Sequence, residues 1–176
     1  MKRVNRKKLK SVKLLMLDVD GVLTDGKIIY NDRGEEIKAF NVRDGHGLKL
    51  LMRAGIEIAL ITGRKSKVVL HRARDLGIKK VYQGVINKIE IYEKILKEKK
   101  LKDINVGFVG DDLVDIPVLK RVGFSAAVGD AIPEVKKVVD YVASKRGGEG
   151  AVREICELLL KVQNKWEGIT ERYRDN

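Results

Sequence analysis

Cysteine is almost missing from this 176-residue chain: Cys156 stands alone, so no intrachain disulfide can form. Its setting, Ile155-Cys156-Glu157-Leu158-Leu159-Leu160, suits a packed side chain better than a reactive one. No apolar run approaches the ~18 residues that a membrane helix needs. The first residues also lack the apolar core of a signal peptide. These absences predict a cytoplasmic protein without a membrane partner. Prolines number two, and neither internal repeats nor low-complexity stretches occur. What remains is ordinary globular material, 44% hydrophobic, and of a length that fits one domain over residues 1–176.

Acidic residues are in deficit, and the formal net charge is +12. Seven of the 37 Lys and Arg residues lie in positions 1–13, which hold no acid, so the rest of the chain carries 30 basic against 25 acidic residues. Much of the excess is therefore a basic N-terminal arm, expected to be solvated. No aromatic residue is interleaved with the arm's charges, which argues against stacking on single-stranded nucleic acid. A nucleic-acid partner is not expected.

The most informative run is Leu14-Leu-Met-Leu-Asp18-Val-Asp20-Gly21-Val-Leu-Thr24-Asp25-Gly26. Four apolar residues read as a strand buried on both faces, and Gly21 permits a sharp turn just after it. Residues i and i+2 share a face of extended chain, so Asp18 and Asp20 can flank one phosphoryl group. A lone pair of this kind is equally well an acidic turn closing a strand. Three further strand or helix ends change that balance. Ile56–Ile61 runs into Thr62-Gly63-Arg64, Asn87-Lys88 opens a helical stretch, and Val106–Val109 ends in Gly110-Asp111-Asp112-Leu113-Val114-Asp115.

Periodicity supplies the frame. After the first strand, 27–40 reads as a hairpin about Asn31-Asp32-Arg33-Gly34. Helical spacing at Leu48, Leu51 and Met52 stops at Gly55, and a second helix from Ser66 to Leu76 stops at Gly77. Short strands follow at 81–82, 106–109, 124–128 and near 141–142, with helices around 89–96, from Leu113 to Arg121, from Pro133 and from Ala151. Alternation of this kind predicts an α/β fold with a doubly wound parallel sheet.

The set DVDGVLTDG, ITGR, NK and GDDLVD resembles motifs I to IV of the haloacid dehalogenase (HAD) superfamily, over residues 18–115. With Phe40-Asn41-Val42-Arg43-Asp44-Gly45 and Arg146-Gly147-Gly148, the chain is more closely similar to the capless 3-deoxy-D-manno-octulosonate 8-phosphate (KDO 8-phosphate) phosphatases. The resemblance implies a HAD-like domain with no cap: 44 positions separate Asp18 from Thr62 and 26 separate Thr62 from Lys88, too few for an inserted domain. It also implies a homotetramer in which the hairpin, bearing Ile28, Ile29 and Ile37, reaches a neighbouring subunit. Residues 145–176 then form a C-terminal tail and helix whose Arg146–Gly148 stretch can enter a neighbour's site, although a glycine-rich turn before the last helix explains it almost as well.

The chemistry implied is hydrolysis of a phosphorylated acid sugar through an aspartyl-phosphate, in lipopolysaccharide precursor synthesis. A dianionic ester repels a carboxylate nucleophile, so a cation is needed, and Mg²⁺ with a few carboxylate ligands fits. By motif position Asp18 is nucleophile and ligand, Asp111 a further ligand, and Asp20 lends its backbone carbonyl to the metal and its side chain to acid–base work. Thr62 and Lys88 hold the phosphoryl group. Asp112 and Asp115 are expected to orient metal-bound water or Lys88, and the direct ligand is open between Asp111 and Asp112. Asn41, Arg43, Asp44, Gly45, Lys49, Arg64 and Arg72 are candidates for the sugar and its carboxylate, since guanidinium groups grip carboxylates in pairs of hydrogen bonds. His46 receives no role. Other C8/C9 acid-sugar phosphates or small phosphomonoesters are alternative substrates, and a non-catalytic nucleic-acid binder on the same scaffold is the rival of another class.

Overall fold

The computed structural model describes residues 5–173. Its centre is β1 (Leu14–Leu17), every residue of which is buried. On one side β1 pairs in parallel with β4 (Glu57–Ile61), and β4 with β5 (Lys80–Tyr82). On the other side β6 (Val106–Gly110), β7 (Phe124–Ala127) and β8 (Tyr141–Val142) follow, giving one six-stranded parallel sheet in the order β5-β4-β1-β6-β7-β8. Leu14 is in register with both Glu57 and Val106, so β1, β4 and β6 end side by side. The chain winds outward in both directions from β1, and such a switch point leaves a crevice at the carboxyl ends of the central strands.

The helices form two groups. In one, α2 (Val42–Arg53) packs on α7 (Ala151–Val162), joined by α1 (Arg6–Lys10) and α8 (Trp166–Thr170). In the other, α4 (Lys88–Lys99) meets α5 (Ile116–Leu119), which meets α6 (Pro133–Val138). The remaining helix, α3 (Lys67–Leu76), begins at Ser66, whose hydroxyl accepts from the Val69 N–H, and stops at Gly77 with φ 79°. The hairpin of β2 (Ile29–Tyr30) and β3 (Glu36–Ile37) is a separate two-stranded ribbon, its turn held by Asn31 Oδ1 accepting from the Arg33 and Glu35 N–H groups.

Three expectations need correction. Residues 6–12 are not a solvated arm: Leu9 and Val12 are buried, Gln163 donates to both their carbonyls at 2.9 Å, and Lys8 pairs with Asp140. The basic side chains ride on a helix whose one apolar face is tucked against α7. Residues 1–4 of the arm lie outside the described residues. The helix expected from Leu113 to Arg121 is a 3-10 turn over Leu113–Asp115 followed by the short α5. The Asp115 carboxylate accepts from the Asp111 and Asp112 N–H groups and folds the entry into a tight loop. Finally, α8 beyond Gln163 was not expected from the spacing.

Candidate active site

Asp18 follows directly on β1, its N–H bonded to the Val109 carbonyl, and a tight turn carries the chain back as Leu23 N–H reaches the Val19 carbonyl. Gly21 sits in that turn with φ 91°, and a Cβ there would fall 2.1 Å from Asp111 Oδ2. Glycine is thus required both by the turn and by the carboxylate that arrives from the end of β6.

Three carboxylates converge at this edge. Oxygens of Asp18, Asp111 and Asp115 all lie within 4.8 Å of one another. Lys88, the first residue of α4 and only 4% exposed, donates at 2.6 Å to Asp18 Oδ1 and at 2.6 Å to Asp115 Oδ1. Burial, opposed by Lys88 and reinforced by Asp115, raises the Asp18 pKa to about 7. Burial and then the charges of Asp18 and Asp115 push Asp111 up to about 8. Burial alone would lower the Lys88 pKa, but its two carboxylate partners raise it. Asp111 Oδ1 is buried without any hydrogen-bond partner among the described residues. An orphaned oxygen in an acidic cluster holding only one cation is the arrangement a divalent hard ion satisfies. Asp112 does not share it, being exposed and bonded to the N–H of Leu113.

Asp20 stands beside the cluster with both oxygens engaged. Oδ2 accepts from Thr62 Oγ1 at 3.3 Å at the end of β4, and Oδ1 meets the Lys38 ammonium. Lys38 also pairs with Glu36 at 3.1 Å, and Glu36 accepts from Arg64 at 3.0 Å, which in turn donates to the Tyr30 hydroxyl at 3.3 Å. Lys38, Glu36 and Tyr30 were missed by sequence reasoning. The available signal was strand alternation, which puts Glu36 and Lys38 on one face of the hairpin.

The residues proposed for sugar contact divide. Arg64 lies next to Thr62 and leans on the hairpin. Arg43 is exposed and lines an open cleft of about 650 Å³ with Asn41, Lys145, Glu149 and Arg153. Arg72 is folded onto the Asn41 carbonyl at 3.2 Å, and Asn41 spends its own side chain capping α2. Lys49 lies on α2 near His46, whose pKa is lowered by burial first, then by the charges of Arg153, Arg53 and Arg172, and least by Lys49. Asp44 and Gly45, also proposed for sugar contact, are both buried in packing. The Asp44 carboxylate accepts from the Gly150 and Arg153 N–H groups at 3.2 and 2.7 Å and so caps α7, whose own cap residue is a glycine with no side chain to offer. A side chain at Gly45 would strike Arg72 at 2.2 Å. The Arg146–Gly148 stretch lies on this chain's own loop, with Gly148 N–H on the Val22 carbonyl and a Gly147 Cβ only 1.7 Å from the Gly21 carbonyl oxygen.

A parallel sheet ending in an acidic cluster, a clasping lysine and a threonine defines the class of HAD-like hydrolases. A family model described as haloacid dehalogenase-like hydrolase matches residues 77–155. The 3-deoxy-D-manno-octulosonate 8-phosphate phosphatase KdsC of Escherichia coli K12 is 50% identical over 158 residues, 90% of this chain and 84% of that one. The crystal structure of the phosphatase of that name from Yersinia pestis shares 45% identity with a TM-score of 0.91, covering 93% of this chain and 88% of that one. The Moraxella catarrhalis phosphatase, solved with magnesium ion, phosphate ion and KDO, shares 41% identity with a TM-score of 0.94, covering 96% and 97%. The chain belongs to the KDO 8-phosphate phosphatase family.

Proposed function

We propose that this protein is a Mg²⁺-dependent phosphatase that hydrolyses KDO 8-phosphate to KDO and inorganic phosphate, a step toward lipopolysaccharide precursors. The observation that carries it is the buried clasp of Lys88 by Asp18 and Asp115, on which Asp111 converges with Asp20 and Thr62 alongside, in a chain of this family. Asp18, Asp111 and the Asp20 backbone carbonyl would hold Mg²⁺, consistent with the partnerless Asp111 oxygen. When bound, the ion neutralises charge on the carboxylates and on the phosphoryl oxygens.

The chain's own groups do the rest. Asp18 attacks phosphorus, the bond from phosphorus to the C8 oxygen breaks, and Asp20 gives its proton to the departing alkoxide. Asp20 then takes a proton from the water that attacks the aspartyl-phosphate, releasing phosphate and restoring Asp18. Lys88 stays clasped between Asp18 and Asp115 and faces the phosphoryl charge, and Thr62 donates to a phosphoryl oxygen. Asp115, fully buried and held by two backbone N–H groups, keeps Lys88 in place. Arg43, Arg64 and Arg72 remain the guanidinium groups proposed for the sugar carboxylate.

The protein is further proposed to act in the cytoplasm as a homotetramer. Among the described residues no helix is long and apolar enough to cross a membrane. The hairpin exposes Ile28, Ile29, Tyr30 and Ile37, an apolar surface that a ribbon of four paired residues cannot bury by itself. Replacing Ile28 and Ile29 with lysine is expected to give smaller species by sedimentation; an unchanged size would remove the hairpin from the assembly. The activity is tested by phosphate release from a panel of C8 and C9 acid-sugar phosphates and simple phosphomonoesters, with and without Mg²⁺. KDO 8-phosphate should lead the panel and lose turnover on chelation. Better turnover of an unrelated ester would reassign the substrate.

A further inference from the structure

Beyond the motif residues, one cation in the site comes from outside the sheet. The Lys38 side chain is 1% exposed, yet it springs from the end of a hairpin whose apolar residues are largely in solvent. Its ammonium is enclosed by Asp20 on one side and Glu36 on the other. We propose that Lys38 is a positioning residue for the reaction, fixing the rotamer of Asp20 so that its carboxyl group meets the leaving-group oxygen; the proposal rests on the phosphatase reading above.

The geometry carries it in three ways. Among the described residues Asp20 has only one other side-chain bond, from Thr62 at 3.3 Å, and its side chain is 22% exposed. Without Lys38 it could swing to water, because a single long hydrogen bond is a weak tether. Lys38 engages Oδ1 and Thr62 engages Oδ2, so the two together define the carboxylate plane. Glu36 supplies a second acceptor, which keeps the ammonium paired when Asp20 carries its proton. Arg64 holds Glu36 at 3.0 Å and Tyr30 holds Arg64, so the hairpin and the loop after β4 brace each other. The chain of contacts thus runs from the hairpin strand to the acid without passing through Asp18, Asp111 or Lys88.

A positioning role for the acid has a signature that general damage lacks. Departure of a sugar alkoxide needs a well-placed proton donor, whereas departure of a nitrophenolate hardly does. The test compares kcat and KM of wild type, Lys38→Met and Lys38→Arg on KDO 8-phosphate and on p-nitrophenyl phosphate at saturating Mg²⁺. Lys38→Met is expected to lose at least ~10-fold in kcat on the sugar phosphate but less than about 3-fold on the aryl ester, with KM for the aryl ester unchanged. Lys38→Arg should recover most of the loss. Equal losses on both esters, a change confined to KM, or no loss at all would overturn the proposal. Should Lys38→Met fail to melt cooperatively, Lys38→Gln is read by the same ratio. If wild type hydrolyses neither ester, the phosphatase reading itself falls and this proposal with it; a wild type active on both keeps the two failures apart.

Discussion

Two lysines reach the acidic strand end, and they are held by very different structures. Lys88 opens a helix packed in the body of the protein, and its partners Asp18 and Asp115 are buried with it. Lys38 comes from a ribbon that stands off the sheet, and its partners Asp20 and Glu36 retain access to water. The first clasp is bound up with folding through its cation, since removing the Lys88 charge strands two carboxylates in a low-dielectric interior. The second can be altered while the fold survives, because its carboxylates can be rehydrated. In the proposed reaction this difference is a division of labour: the sheet edge assembles the proposed nucleophile and metal ligands, and the hairpin adjusts the proposed acid.

Asp18→Asn should produce the largest effect, a loss of roughly 10⁴-fold or more in phosphate release on every ester. Its melting temperature should stay within a few degrees of wild type, because Lys88 keeps Asp115. Equal activity would move the nucleophile elsewhere and dissolve the comparison. Lys88→Met should follow, lowering turnover on all esters alike by about 10²–10³-fold and destabilising the fold by about 3–5 kcal/mol through the unpaired Asp115. Lys38→Met, by contrast, is expected to cost under about 1 kcal/mol, since Asp20 and Glu36 can take up water. Denaturant titrations of the two variants side by side would sharpen or erase the distinction.

Metal and pH probe the sheet-edge region alone. Without Mg²⁺, Asp111 is held near 8 against an ordinary 3.8, so the folded chain retains a proton that the unfolded chain has released between those values. Stability of the metal-free protein should therefore fall as pH rises from about 4 to about 8 and level off above. Saturating Mg²⁺ should raise the melting temperature most at the alkaline end and flatten that slope. Thermal melts at pH 5 and pH 8 check this, and Asp111→Asn should abolish most of the Mg²⁺ effect. The smallest change in activity is expected at Asp44. Asp44→Ala should cost about 1–2 kcal/mol, as loss of a helix cap does, while turnover stays within about 3-fold of wild type. A large loss of sugar-phosphate turnover with unchanged stability would place Asp44 in the binding site.

The placement of Asp18, Thr62, Lys88 and Asp111 was legible because each stands where a regular element starts or stops, and element ends are what apolar periodicity marks. Less was legible where one side chain serves another element. Asp44 lies in a motif that invites a ligand role, yet its carboxylate closes the N-terminus of α7, more than a hundred residues downstream. Leu9, one apolar residue in a charged arm, finds its surface only on α7. Lys38 is one lysine among many on a basic chain, and no local pattern sets it apart.

By itself the sequence determined the strand-helix alternation, the parallel sheet and the strand ends at which the carboxylates gather. These follow from local apolar periodicity and from glycine's freedom at turns. Only the tertiary structure decided that Asp111 and not Asp112 faces Asp18, that Asp115 and Lys88 form one buried clasp, and that Lys38 takes hold of Asp20. Those outcomes depend on which long side chains converge when the sheet and hairpin come together, and a buried charge will accept only a partner that arrives with the right geometry.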